Sequence, residues 1–203
     1  DVGQGNGSAL EGAGRFLFCP LQVPNDSQIT LFAGWVGSVE GMLGALATAA
    51  AALPEGWHIR VKEHPSARSS LAEPLAAAVA RAGGRIVVDN QTDTFVQVAA
   101  SGGVITINSS VGLQAFFHDK PVITLGEAFF AIPGLVTPVG DAAELSRVLA
   151  APEALSFDPA LRGAAMTYLD HVYYPKTQPD GAGGVTVDAI AIRRKLREAG
   201  AGE

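Results

Sequence analysis

The chain has 203 residues, with 14 Lys and Arg against 20 Asp and Glu and a formal net charge of -6. Hydrophobic residues make up 48% and charged residues only 17%, which excludes disorder for most of the chain and supplies ample material for a core. The acidic balance excludes a protein that coats nucleic acid, which needs clustered surplus Lys and Arg. The single cysteine, Cys19, excludes an internal disulfide and a cysteine zinc site and fits a reducing, cytoplasmic compartment.

Residues 1–14 are Gly-rich and polar and read as a flexible tail. Their Gly3-Gln4-Gly5-Asn6-Gly7 precedes the first strand, whereas a dinucleotide-binding glycine motif follows a strand and opens a helix. Residues 29–53 are the most hydrophobic stretch, but Gly34, Gly37, Ser38, Glu40, Gly41 and Gly44 interrupt them. A membrane-spanning helix wants roughly 20 continuous apolar residues, so this stretch reads as a buried helix.

Short β-branched or aromatic runs at 15–19, 58–62, 85–88, 104–107, 122–125 and 135–139 predict strands. Their nearly continuous apolar character suits parallel strands covered on both faces. Between them lie helical patterns. Ser70-Leu71-Ala72-Glu73 reads as a capping box, Leu71, Leu75 and Val79 share one face, and Gly83-Gly84 ends the helix. Thr92 can cap a helix through Ala100, residues 111–118 form another, and Asp141 caps one reaching Ala150. This alternation predicts an α/β fold, a doubly wound Rossmann-like parallel sheet of about six strands with right-handed crossovers. Such a sheet binds its ligand in a crevice at the carboxyl ends of the strands. From residue 152 the pattern turns helical, with helices expected at 159–172 and 187–199 around a loop at 174–184. The expected organisation is a tail (1–14), a Rossmann-like lobe (15–151) and a helical extension packed on it (152–203).

Reactive side chains fall just after successive strands, on Gln22 and Asp26, on Lys62 and His64, on Thr94, on Asn108-Ser109-Ser110 and on Glu127. A strand entering a helix at Asn108-Ser109-Ser110 offers backbone N–H groups and two hydroxyls to a phosphate, although one serine serves equally as a helix cap. Lys62 and His64 leave the same strand end as charged or neutral donors, and Pro65 fixes the direction of exit. The bland reading is a loop histidine beside a surface Lys62–Glu63 pair. His58, His118 and His171 take that kind of reading, and no two histidines have metal-ligand spacing, so no metal is expected. Asp26 either caps the helix that follows or stands beside a reacting carbon, flanked by Gln22 and Gln28. Glu127 either holds ribose hydroxyls or is a capping or solvated glutamate.

Three strings, Pro20-Leu21-Gln22-Val23-Pro24-Asn25-Asp26-Ser27-Gln28-Ile29, Val61-Lys62-Glu63-His64-Pro65 and 104–115, the last continuing into 120–126, together resemble bacterial capsule polysaccharide biosynthesis proteins. More specifically they resemble the retaining β-Kdo transferases that use CMP-Kdo. The resemblance implies a GT-B-type glycosyltransferase, in which two Rossmann-like lobes face each other and the nucleotide sits mainly on the C-terminal one. Together with the strand-end reading, it gives an expected donor site drawn from Gln22, Lys62, His64, Pro65, Thr94, Asn108, Ser109, Ser110 and Glu127. His64 and the serine pair would hold the CMP phosphate, and Asp26 would be the carboxylate nucleophile. No cofactor or metal is implied beyond the CMP-linked donor; the acceptor would be a glycolipid or oligosaccharide. A length of 203 residues gives room for about one lobe, so the expectation is a donor-binding lobe completed by a second lobe or a capsule biosynthesis partner. Competing expectations are a transferase using CDP-glycerol, CMP-sialic acid or a UDP-sugar, and a noncatalytic nucleotide-binding module of a capsule assembly complex. Arg193, Arg194, Lys195 and Arg197 read as a solvated face, with peripheral attachment to the inner membrane as the alternative.

Overall fold

The computed structural model describes Leu10, residues 14–170 and two further short strands at Thr177–Pro179 and Val185–Val187. The chain divides into two compact units, Asp1–Phe157 and Asp158–Glu203. The first alternates β1 (Arg15–Pro20), α1 (Ser27–Phe32), α2 (Val39–Ala49), β2 (Trp57–Lys62), α3 (Arg68–Arg81), β3 (Ile86–Val88) and α4 (Thr94–Ala100). It continues through β4 (Val104–Thr106), α5 (Ser110–Ala115), β5 (Val122–Thr124), β6 (Thr137–Pro138) and α6 (Ala142–Leu149). The six strands form one parallel sheet in the order β3-β2-β1-β4-β5-β6. The expected doubly wound sheet is therefore the fold found.

Period-two geometry decides which residues meet across the sheet. In register, Leu17 pairs with Ile59, Cys19 with Val61 and Ile105 with Ile123, and all six are buried. Met42, Leu43 and Leu46 of α2, Leu71 and Leu75 of α3, and Leu145 and Leu149 of α6 join the same core. Each such side chain contributes about 1.5–3 kcal/mol through its burial. Phe16 and Phe18 are buried as well, so β1 is covered on both faces, as its unbroken apolar run requires. The apolar segment 29–53 is not one helix. Gly37 adopts φ 69°, which splits it into α1, a 3-10 turn at Gly34–Val36 and α2, the last capped by the Ser38 hydroxyl.

Three helix starts differ from the sequence expectation. α3 begins at Arg68, and the Ser70 hydroxyl donates to the Ala67 carbonyl at 2.9 Å instead of closing a capping box. Asp93, not Thr92, caps α4, accepting from the Phe95 and Val96 N–H groups; a carboxylate offers two acceptors and outcompetes a hydroxyl there. α5 opens one residue early, at Ser110, and gives way to a 3-10 turn at Phe116–His118, ended by Asp119 at φ 55°. Asp141 caps α6 as expected.

Residues 152–157 belong to the first unit, because Pro152 is buried in a 3-10 turn and Leu155 packs on the core. In the second unit α7 (Pro159–Tyr168) starts with Pro159 and is capped by Asp158. β7 (Thr177–Pro179) and β8 (Val185–Val187) pair antiparallel. The expected loop at 174–184 thus contains a strand, and Val187, expected to open a helix, ends one; β-branched Val185, Thr186 and Val187 suit it. The tail 1–9, His171 and the basic cluster from Arg193 to Arg197 lie outside the described residues. No helix among the described residues is long and apolar enough to cross a membrane.

On β2, His58 lies 5.6 Å from the Phe16 ring, and the Arg60 guanidinium carbon sits 5.5 Å from that same ring. Burial, then the Arg60 charge, lowers the His58 pKa from its ordinary 6.5, while a hydrogen bond to the Arg15 backbone opposes them. The folded value lies below the unfolded one, so this group costs nothing well above pH 6.5 and destabilises the fold as pH drops below it. Asp89 acts separately: burial would raise its carboxyl, but hydrogen bonds from Thr92, Arg60 and Gln91 outweigh that and depress it, so its contribution fades only below its ordinary 3.8. Thermal midpoints measured across pH are expected to fall as the pH drops below 6.5, and His58→Gln should flatten that decline. An unaltered slope in the variant would assign the titration to another group.

Candidate functional site

A cavity of about 450 Å³ lies at the carboxyl ends of β1, β2 and β4, bounded also by the start of α4 and the loop after β5. Its first wall follows β1. The Leu21 N–H donates to the Lys62 carbonyl at 2.8 Å, which carries the pairing one residue beyond Pro20. The chain then turns, with the Asp26 N–H on the Val23 carbonyl at 3.1 Å, and Asp26 Oδ1 accepts the Gln28 N–H at 2.9 Å. Asp26 therefore caps α1 and also lines the cavity, with Oδ2 carrying no hydrogen bond among the described residues.

The second wall leaves β2. Pro65 opens a 3-10 turn at Pro65–Ala67, and the Ala67 N–H donates to the His64 carbonyl at 2.9 Å. The Ser66 N–H donates to His64 Nδ1 at 3.2 Å, so the neutral ring carries its proton on Nε2 and has a donor left for a ligand. Lys62 is half-buried, and its Nζ donates to the carbonyls of Thr92 at 2.5 Å and Asn90 at 3.3 Å. Two of its three protons thus hold the loop after β3, and one remains. Glu63, which the bland reading makes a surface partner of Lys62, instead lines the cavity and is bound to Asn90. Behind this wall Arg60 and Asp89 form an ion pair at 2.5 Å, each about 10% exposed.

The third wall is the turn from β4 into α5. Asn108 is buried, and its Oδ1 accepts Gln22 Nε2 at 2.8 Å. Its Nδ2 donates to the carbonyls of Gln28 at 2.9 Å and Phe32 at 3.1 Å. Gln22 Oε1 in return accepts the Asn108 N–H at 3.2 Å and the Thr106 hydroxyl at 3.3 Å. The Ser109 hydroxyl accepts the Val111 N–H at 3.2 Å and so is the cap of α5. The Ser110 hydroxyl lines the cavity with no hydrogen-bond partner among the described residues. Thr94, half-buried as the first residue of α4, completes this side.

Beyond β5 the chain passes close to α1. A Cβ on Gly126 would lie 2.5 Å from the Phe32 carbonyl and 2.6 Å from Ile107 Cγ2, so only glycine fits. The Glu127 N–H donates to the Phe32 carbonyl at 2.9 Å. This seam turns Ala128 and Phe129 into the cavity and Glu127 away from it, into a separate depression with Trp35 and Glu144. Gln22, Asp26, Lys62, His64, Pro65, Thr94, Asn108, Ser109 and Ser110 are thus brought together, whereas Glu127 is not.

Residues 4–174 match the family of capsule polysaccharide biosynthesis proteins. The chain belongs to that family. It is 34% identical to Protein FixF of Sinorhizobium fredii over 172 residues, covering 82% of this chain and 40% of FixF. It is 30% identical to the capsule polysaccharide modification protein LipB of Neisseria meningitidis over 127 residues, covering 60% of this chain and 30% of LipB. Among solved structures it is similar to KpsC of Thermosulfurimonas dismutans, a beta Kdo 2,7 transferase, with a TM-score of 0.57 at 16% identity. That likeness, one of fold, covers 92% of this chain and 54% of KpsC. The chain spans less than half the length of either curated relative. The resemblance carried by the Pro20–Ile29, Val61–Pro65 and 104–115 strings therefore holds at the level of family and fold.

Of the cavity residues of this family member, sequence reasoning passes over Glu63, Ala128 and Phe129, and it does not single out Asn90, which holds Glu63. For Glu63 a signal is present, since its neighbours on both sides, Lys62 and His64, stand at the same strand end. Asn108→Ala removes one acceptor and two donor contacts from a buried junction, leaving Gln22 and helix carbonyls unsatisfied. Urea unfolding should show a loss of about 2 kcal/mol or more, as expected for buried polar groups deprived of partners. Stability equal to that of the wild type would mean that the junction is held by packing alone.

Proposed function

We propose that this chain is the donor-binding part of a capsule polysaccharide glycosyltransferase that transfers Kdo from CMP-Kdo with retention. The observation that carries this reading is the convergence of Asp26, Lys62, His64, Ser109 and Ser110 on one cavity at the carboxyl ends of parallel strands. KpsC, whose fold this chain shares, is a beta Kdo 2,7 transferase, and that supports the choice of sugar. In this reading the His64 Nε2–H, the Ser110 hydroxyl and the remaining Lys62 proton donate to the CMP phosphate and stabilise its charge as it leaves. Asp26 Oδ2 attacks the anomeric carbon while the bond from that carbon to the phosphate oxygen breaks, its electron pair departing with CMP. An acceptor hydroxyl, from a glycolipid or oligosaccharide, then attacks the same carbon and releases its proton, and the ester bond breaks back to the Asp26 carboxylate. Two inversions give net retention. The acceptor would be presented by a facing lobe or a capsule biosynthesis partner.

Calorimetry with CMP and UMP tests the donor site, and intact-mass analysis after incubation with CMP-Kdo tests the nucleophile. The protein is expected to bind CMP in preference to UMP, and His64→Ala should weaken CMP binding at least tenfold, about the loss of one charge-assisted hydrogen bond. A sugar adduct should form on the wild type and be absent in Asp26→Ala. Equal CMP affinity in wild type and His64→Ala would refute the phosphate assignment, and a preference for UMP would point to a UDP-sugar donor.

A further inference from the structure

Glu63 lines the cavity, yet no step of the proposed transfer uses it. Asn90, two residues beyond β3, grips it twice: Asn90 Oδ1 accepts the Glu63 N–H at 2.9 Å, and Asn90 Nδ2 donates to Glu63 Oε2 at 2.5 Å. Both side-chain functions of Asn90 are therefore spent on one glutamate, Oδ1 on its backbone and Nδ2 on its carboxylate, and the Asn90 carbonyl receives Lys62 Nζ at 3.3 Å. With Oε2 engaged, Oε1 is the oxygen left to meet a ligand. An ionised carboxylate only accepts hydrogen bonds and repels a phosphate, so its partner must be a donor. In a nucleotide-sugar the abundant donors are hydroxyls, and a carboxylate matches a neighbouring pair of them. Glu127, the carboxylate expected in that role, faces a different depression.

We infer that Glu63, oriented by Asn90, is the hydroxyl-binding group of this site. It accepts hydrogen bonds from hydroxyls of the nucleotide-sugar, supplied by the ribose or by the transferred sugar. Asn90 is a positioning residue that acts through Glu63. The inference rests on the proposed donor site and deepens it, because it names the group that selects a ribonucleotide or a polyhydroxylated sugar over a deoxygenated analogue.

Calorimetric titration of wild type, Glu63→Gln and Asn90→Ala with CMP, 2′-deoxy-CMP, UMP and CMP-Kdo tests it. If the ribose is the source, Glu63→Gln should weaken CMP about tenfold and leave 2′-deoxy-CMP unchanged, the size of one hydrogen bond to a charged group. If the transferred sugar is the source, the loss should be confined to CMP-Kdo. Asn90→Ala should reduce the same discrimination by a smaller factor, an effect that general loosening of the fold does not produce. Unchanged affinities in Glu63→Gln overturn the inference, as does an equal loss for all four ligands. A loss confined to the preference of CMP over UMP also overturns it, because the carboxylate would then serve the amino group of the base. A wild type that binds none of the four refutes the donor site itself and this inference with it, whereas a wild type that binds CMP with Glu63→Gln unaltered refutes only the inference.

Discussion

Asn108 joins three chain segments through a single buried amide. Its oxygen takes the Gln22 side chain from beyond β1, and its nitrogen takes the carbonyls of Gln28 and Phe32 in α1. The Phe32 carbonyl ends a helix of six residues and has no intrahelical partner, so the amide supplies what the helix itself lacks. The same carbonyl also receives the Glu127 N–H, which ties the loop after β5 into the junction. Remove this hub and the segment bearing Asp26, the turn bearing Ser110 and the loop bearing Phe129 lose their common reference point.

A consequence is that most polar groups at the site have structural duties and only particular atoms are left for a ligand. Asp26 spends Oδ1 on capping α1, Ser109 spends its hydroxyl on capping α5, and Lys62 spends two protons on the loop after β3. His64 spends Nδ1 on the Ser66 N–H. What remains is Asp26 Oδ2, Glu63 Oε1, the His64 Nε2–H, the Ser110 hydroxyl and one Lys62 proton, and on Asp26, Glu63, His64 and Lys62 a second contact limits the rotation of the side chain. A site made in this way is preorganised, because the groups that meet the ligand are not searching for one another in its absence.

The sheet was legible because continuous apolar runs such as Phe16-Leu17-Phe18-Cys19 have few alternatives to a covered parallel strand. The strand-end rule brings nearly every candidate residue to the same cavity, since it depends on topology and not on side-chain detail. Glu127 escaped the rule because the close approach of Gly126 to the Phe32 carbonyl reorients the chain just where that residue begins, a long-range contact that no local pattern encodes. The helix starts at Ser70 and Thr92 were misread for a related reason. Asp93 competes one residue away for the same N–H groups, and the fold, not the capping motif, sets where α3 begins. Glu63 was hidden by its neighbour: beside a lysine, a glutamate suggests a surface pair, whereas Lys62 in fact turns to backbone carbonyls and Glu63 to Asn90.

The loop that carries Asn90 owes its shape to the ion pair behind it. Asp89 accepts the Gln91 N–H at 2.8 Å and the Thr92 N–H at 3.0 Å while its second oxygen meets Arg60. Gln97 Nε2 then bonds the Thr92 carbonyl at 3.0 Å, the same carbonyl that receives Lys62. Breaking one side of so desolvated a pair costs about 3–5 kcal/mol, far more than an exposed pair of the same geometry. Such a cost is justified where it fixes position. The chain of restraint runs from Arg60 through Asp89 to the loop at 89–92, from there to Asn90 and Lys62, and through Asn90 to Glu63. The β2 strand and the residue that follows it thus supply the guanidinium, ammonium and carboxylate on Arg60, Lys62 and Glu63, and a neighbouring loop holds all three in place.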